Sequence, residues 1–411
     1  MKNVSPIDHE SIMNMLTLRY DPNKKTVRES LSSEDFIPIY YDDIESNIIK
    51  IVKNDLLQKQ ENLKFEKVSV ALSGGIDSGF TLAMLRSILP DIKIHCVSVG
   101  FGDIDDEVKR AEELAQIYDC DFYGMFIENI FTDLPKLISI VKEPRWNLYQ
   151  YYPLEYGKRN SNVFYSGDGG DEIFAGYTFR YNKFLSLLKP SSTWIEKAEL
   201  YLSCHDRDWV PNQTELFGSS VNFSWEKIYH IFKYSFNNSL PPLDQVFLSD
   251  FNGKLLYDWL PVNKAFGEEL DIHIGSVFLT DSMIKFATHI PWHKKYDNET
   301  ITGKLPIRSI LHNQRGFGQL KPLKKGFSLD LLSLWNKSAR DIVNTYINDD
   351  CEIVKDGVIK KEWIISVKRQ LSDTNAQFDK SRYISKMFSL LALEIFYKLF
   401  VSRTLKENQK L

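Results

Sequence analysis

Val68-Ser69-Val70-Ala71-Leu72-Ser73-Gly74-Gly75-Ile76-Asp77-Ser78 runs from an apolar segment into a glycine loop, and Phe80-Thr81-Leu82-Ala83-Met84-Leu85 continues it as a helix-like stretch. The order is buried strand, glycine loop, helix N-terminus. Adjacent Gly74 and Gly75 let backbone N–H groups crowd one concave site, and the helix dipole adds positive potential there. Ser73 and Ser78 can donate to phosphate oxygens, whereas Asp77, in a loop that should repel it, wants a cation. A loop that cradles pyrophosphate and holds Mg²⁺ meets both demands. The spacing is neither Gly-x-x-x-x-Gly-Lys-Ser/Thr nor Gly-x-Gly-x-x-Gly, which excludes the two common nucleotide loops. The competing reading is a glycine turn that ends a strand, with Asp77 as a helix cap.

Working outward, short buried strands are expected at 68–72, 94–99, 122–127 and 163–165, with helices between them at 78–87, 105–118, 130–141 and 149–159. This α/β alternation predicts a parallel sheet with helices on both faces. Ligands of such sheets sit outside the carboxyl ends of the strands. Loop 73–78, the segment after Val99 and the loop after Tyr165 would then open onto one edge. Before the sheet, residues 42–58 read as a helix with Ile44, Ile48, Ile49, Val52, Leu56 and Leu57 on one face. The expected division is an irregular N-terminal segment, 1–40, an α/β domain, 41–190, and a mainly helical part, 191–411, rich in Trp, Phe and Tyr.

Composition narrows the classes. With 411 residues, 43% hydrophobic and 26% charged, the chain has the make-up of a soluble globular protein. A net charge of −4 provides no global field for nucleic acid. The one basic cluster, Lys321-Pro322-Leu323-Lys324-Lys325-Gly326, suits a small anion or plain solvation. No secretory apolar region follows Met1-Lys2-Asn3, and the apolar stretch 388–401 carries Glu394 and Lys398 and is too short to span a bilayer. A cytoplasmic protein without membrane contact is expected, with 388–401 as a buried amphipathic helix. Cys96, Cys120, Cys204 and Cys351 are scattered, as reduced cytosolic thiols would be. His289 and His293 are four apart, but Pro291 between them spoils a shared helical face for zinc.

A second dense motif is Ser166-Gly167-Asp168-Gly169-Gly170-Asp171-Glu172-Ile173-Phe174-Ala175-Gly176-Tyr177. Carboxylates packed this closely raise one another's pKa unless a cation neutralises them. A solvated acidic turn is the bland alternative. The functional reading gives Asp171 to Mg²⁺ opposite Asp77 and leaves Asp168 for proton handling.

Together and in this order, the two motifs resemble the synthetase domain of the asparagine synthetase family. The likeness extends to His95-Cys96-Val97-Ser98-Val99-Gly100-Phe101, to Glu143-Pro144, and to Gly303-Lys304-Leu305-Pro306-Ile307-Arg308. It includes Lys324-Lys325-Gly326-Phe327-Ser328-Leu329 and the helix around Phe388, and covers about residues 40–400. The resemblance implies an adenine nucleotide α-hydrolase-like sheet of the ATP pyrophosphatase type. By it, Leu72, Val99, Ser166 and Gly167 line the adenine and ribose site, while Ser73, Gly74, Gly75, Asp77 and Ser78 hold pyrophosphate and Mg²⁺. Asp171 is the second metal ligand, Lys304 the catalytic lysine and Asp168 the catalytic carboxylate. The implied reaction joins a carboxylate, aspartate first, to ammonia or another amine through an acyl-adenylate, consuming ATP.

The pattern departs from that family in two places. Family enzymes of full length carry an N-terminal glutaminase whose nucleophile is the cysteine after Met1. Here Lys2 follows, no cysteine precedes Cys96, and Leu16-Thr17-Leu18-Arg19-Tyr20-Asp21-Pro22 looks like the tail joining the two domains. Nitrogen is therefore expected from free ammonia, a partner glutaminase or an amine on another substrate. The family's Glu-x-Arg-x-Pro-Phe-Leu-Asp stretch appears as His273-Ile274-Gly275-Ser276-Val277-Phe278-Leu279-Thr280-Asp281, without its glutamate, arginine and proline. Loss of an arginine fork bears on which acid is accepted. β-Lactam synthetases and lasso-peptide cyclases keep the ATP chemistry and change the acceptor, an alternative this chain shares. A nucleotide-binding regulatory protein without catalysis is a third reading. A tRNA-modifying pyrophosphatase is disfavoured by the acidic balance. Trp146, Asn147, Tyr149 and Tyr152 are either pocket or core.

Overall fold

The computed structural model describes residues 8–101, 106–316, 330–373 and 378–411. The basic cluster 321–326 and the Lys324–Leu329 likeness lie outside the described residues. Five parallel strands form one sheet in the order β3-β2-β1-β4-β5. They are β1 (Lys67–Ala71), β2 (Lys93–Phe101), β3 (Asp121–Ile127), β4 (Val163–Ser166) and β5 (His273–Ser276). The chain runs outward from β1 to β3, then returns to lay β4 on the other side of β1, in register Ser69↔Phe164 and Val70↔Tyr165. Strand order therefore reverses between β1 and β4, and a crevice opens beyond their carboxyl ends.

The strand pleat sorts side chains between two cores. Val68 and Val70 join Val163 and Tyr165 in one apolar cluster, while Phe164 enters the other. Ser69 also points to the second face, where its hydroxyl donates to the Gly157 carbonyl at 2.8 Å. The first face is covered by α2 (Ile44–Leu63) and α3 (Ile76–Ile88). On α2 the buried line is Ile48, Val52 and Leu56; Ile49 and Leu57 of the expected stripe are exposed, because the neighbours cover one row rather than a broad face. Asp43 caps α2 by accepting from Ser46 N at 2.9 Å. α4 (Asp106–Ile117), α5 (Leu134–Val141) and α6 (Tyr151–Gly157) complete the crossovers.

Two features differ from the expectation. β5, paired to β4 from Val163↔His273 to Ser166↔Ser276, comes from the stretch read above only as an altered motif. A four-residue strand holding His273 and Gly275 has neither the length nor the β-branched content that marks a strand. The N-terminal segment is also built into the protein. Its helix α1 (His9–Leu18) buries Ile12, Met13, Leu16 and Leu18 in the larger core. Helix Lys380–Phe396 is almost wholly buried, and its Glu394 accepts from the Glu352 and Ile353 N–H groups at 3.0 and 3.1 Å. No helix among the described residues is long and apolar enough to cross a membrane.

Candidate active site

The glycine loop leaves β1 at the crevice. Gly74 adopts φ +69°, a left-handed turn that favours glycine, and α3 begins at Ile76 with Gly75 as an N-cap that offers no side chain. Asp77 thus sits in the first turn of α3 and is not its N-cap. The serine hydroxyls hold the loop's shape. Ser78 Oγ accepts from Ser73 N at 3.1 Å and lies 3.1 Å from Ser73 Oγ, which accepts from Gly75 N at 3.4 Å.

From the end of β4 the acidic motif folds back against this loop. A Cβ on Gly170 would lie 2.5 Å from Asp77 Oδ1, so only glycine lets the two loops approach this closely. Lys304, in the left-handed region at φ +58°, heads helix Leu305–His312 and reaches into the crevice. Its Nζ lies 2.5 Å from Asp77 Oδ2 and 2.5 Å from Asp171 Oδ1. Gly176 is the hinge of this contact, since a Cβ there would fall 1.7 Å from Asp171 Oδ1 and 2.5 Å from Lys304 Cε. Burial pushes the Asp77 carboxyl up to about 6 against the pull of Lys304. Burial works against the charge on Lys304, but the two carboxylates outweigh it and raise its pKa. Lys304 therefore keeps its charge in the folded protein. Asp77 Oδ1 is buried without a hydrogen-bond partner.

That bare oxygen, with Asp171 opposite, is the kind of donor set a hard, oxygen-seeking cation takes while keeping waters or phosphate oxygens of its own. The residues present fit Mg²⁺. Among the described residues no group of three His, Cys, Asp or Glu side chains converges as a complete metal cage.

The other expected site residues are distributed around this centre. Asp168 stands apart from the lysine: its Oδ2 accepts from Ser166 Oγ at 2.6 Å and Asn263 Nδ2 at 2.8 Å. Burial raises its pKa against these donors. It lines a cleft of about 1070 Å³ with Ser166, Asn263, Ser276 and Leu279. Gly167 touches the first loop, as a Cβ on it would meet Ser78 N at 2.7 Å. Leu72 follows β1 directly. Its side chain is buried in the core, so only its backbone can face a nucleotide, and its N–H is taken by Val97 O at 2.9 Å. Val99 is half-buried near the end of β2, two residues before the strand stops at Phe101.

Glu143 is absent from the centre. It binds Lys24 Nζ at 2.7 Å and Arg145 Nε at 2.5 Å. Arg145 also reaches Asp258 Oδ1 at 2.5 Å and the carbonyls of Arg19 and Tyr257 at 2.7 and 2.8 Å. Trp146 is core, packed 5.3 Å from Phe388. Two basic residues outside the expected site stand near the loop. Arg110 of α4 packs its Cβ and Cγ against Gly74, 3.1 Å from where a Cβ would stand. Arg308 bonds Gly303 O at 2.9 Å, and burial lowers its pKa while Asp77 pulls the other way. Arg308 falls within a quoted motif, whereas Arg110 comes from an ordinary charged helix face that no spacing singles out.

Comparison with known proteins supplies a family. The asparagine synthase family model matches residues 59–398. A putative glutamine-hydrolysing asparagine synthetase of Methanocaldococcus jannaschii is 25% identical over 182 residues, 40% of this chain and 33% of that one. Glutamine-hydrolysing asparagine synthetase 1 of Bacillus subtilis is 30% identical over 152 residues, 35% of this chain and 23% of that one. The chain thus spans a third or less of the curated relatives it matches. A solved NMN synthetase from Francisella tularensis overlaps 50% of this chain and 94% of its own at 14% identity and TM-score 0.28, too slight a likeness to carry an argument.

Proposed function

The chain belongs to the asparagine synthase family, and from that premise we propose that it is an ATP-dependent amide-forming ligase that activates a carboxylate as its adenylate. The observation that carries this reading is the Lys304 ammonium, 2.5 Å from both Asp77 and Asp171 beyond the β1 and β4 ends. A substrate carboxylate oxygen attacks the α-phosphorus of ATP, and the bond to the β-phosphate oxygen breaks to release pyrophosphate. An amine then attacks the acyl carbon, loses a proton, and AMP leaves with one former carboxylate oxygen.

Backbone N–H groups of 73–78 and the start of α3 suit the polyphosphate. Lys304, a compact cation on a flexible stem, can follow charge from the phosphorus to the acyl oxyanion. Asp77 and Asp171 would hold Mg²⁺, which supplies charge neutralisation for the phosphates. Asp168, fixed by Ser166 and Asn263, faces the cleft and is the candidate acceptor for the amine's proton. Aspartate with ammonia, free or from a partner glutaminase, is the first substrate pair to test. The cleft of about 1070 Å³ favours a second reading, in which the acid is larger than one amino acid and the ring-closing relatives are the better guide.

Product analysis with ATP, Mg²⁺ and ammonium separates them. AMP and pyrophosphate formed only with aspartate support the first. Formation only with larger acids supports the second, and ADP or no acid dependence rejects both.

A further inference from the structure

The altered motif 273–281 lacks the arginine its family pattern carries, yet a guanidinium stands beside it. Arg28 comes from the N-terminal segment, donates through Nη1 to Leu279 O at 3.1 Å, and pairs through Nη2 with Asp281. Leu279 in turn packs on Gly169, the neighbour of Asp168, where a Cβ would lie 2.3 Å from its Cδ2, so one residue touches both the Arg28 side and the Asp168 side of the site. Arg28 and Asp168 line the same cleft. The segment bearing Arg28 is anchored independently, because Asn252 bonds both the N–H and the carbonyl of Leu31, at 2.9 and 2.8 Å.

We propose that Arg28 is the acid-recognising residue of this cleft, the guanidinium that orients the substrate's carboxylate toward the ATP site. The proposal rests on the ligase reading above. Asp281 is 95% exposed, so water screens its pairing and a ligand carboxylate competes with it at small cost. A guanidinium has five donors in a planar fork, and the two bonds above leave donors for a bidentate acid. Among the described residues the cleft's other lysines are point cations without a planar fork. Lys264 faces Glu268 at 3.8 Å, and Lys59 faces His273 Nε2 at 3.1 Å, with burial lowering the pKa of both Lys59 and His273.

Calorimetric titration with L-aspartate, L-glutamate and a short peptide with a free C-terminus tests this, in the presence of Mg²⁺ and a non-hydrolysable ATP analogue. At least one probe should bind the wild-type chain. Arg28→Ala should weaken that probe by about tenfold or more, the scale of a lost charge-assisted bidentate contact. Arg28→Lys should recover part of the loss. Asp281→Ala, which removes the competing carboxylate, should leave affinity unchanged or tighten it. The ATP analogue should bind all variants alike. Equal weakening by Arg28→Ala and Asp281→Ala would make the pair a mere clasp for the N-terminal segment and overturn the proposal. An Arg28→Ala chain that binds acids normally, or a wild-type chain that binds none, would overturn it too. Failure of the ligase reading would look different: acid bound through Arg28, but no pyrophosphate released.

Discussion

Two clusters in this molecule have the same formula, one cation between two carboxylates, and opposite characters. Arg145 lies between Glu143 and Asp258, and it also donates to the carbonyls of Arg19 and Tyr257. Burial alone would raise the Glu143 carboxyl, but Arg145 and Lys24 outweigh it and hold it low. Everything there is satisfied, and the result is a knot tying the N-terminal segment to the helical part. Lys304 lies between Asp77 and Asp171 on a left-handed backbone, against two loops crowded to the limit that glycine permits. It leaves Asp77 Oδ1 bare and Asp77 pushed up to about 6 by burial. Strain and an unmet oxygen are what a site retains when its ligand completes it.

Methionine in place of each cation should split the two sharply. Arg145→Met strands the buried Asp258 and leaves Glu143 to Lys24 alone, and should cost about 3–5 kcal/mol of stability, read by denaturant unfolding. Lys304→Met leaves Asp77 and Asp171 facing each other, but these are more open to water and Asp77 can take up a proton, so it should cost less, about 1–2 kcal/mol. It should also cut pyrophosphate release on the order of 10²–10³-fold, the scale of a lost transition-state cation. Similar stability losses in both would erase the distinction. Gly176→Ala comes next. Its methyl must displace Asp171 or Lys304, so it should destabilise by about 1–3 kcal/mol and lower kcat more than KM for ATP.

Acidity sharpens the contrast further. Glu172 accepts from the Tyr177 hydroxyl at 2.5 Å, and burial, then Asp171, pushes its carboxyl from 4.5 up to about 8. A carboxyl raised on folding lends stability in full below its unfolded pKa and has lost it once pH has risen through the folded value. Melting temperature should therefore decline from about pH 4.5 to 8, and Glu172→Gln should flatten that decline. A parallel decline in the variant would place the cause elsewhere. The smallest effect belongs to Arg110→Ala beside Gly74, a several-fold weaker hold on ATP, steeper at low salt, with kcat preserved.

Much of this contrast was legible in the residues. The strand–loop–helix around Gly74 and the acidic run after Tyr165 announce themselves because glycines and carboxylates interrupt apolar segments at their ends. The convergence of the two loops followed from α/β alternation alone. Lys304 was legible only by resemblance, since nothing in Thr302-Gly303-Lys304 states that a chain 227 residues beyond Asp77 returns to it. β5 was hidden by its shortness. Arg28 and Arg110 were hidden because tertiary proximity leaves no mark on local spacing. Leu72 went the other way, matching a motif yet spending its side chain on the core.

The most direct test of an adenylating centre follows the oxygen. A substrate acid labelled with ¹⁸O in its carboxylate, turned over with ATP, Mg²⁺ and ammonium, should transfer one label to AMP, seen as an isotope shift of the ³¹P resonance. Label in inorganic phosphate beside ADP, or AMP formed without label, would contradict attack on the α-phosphorus and with it the role assigned to Lys304, Asp77 and Asp171.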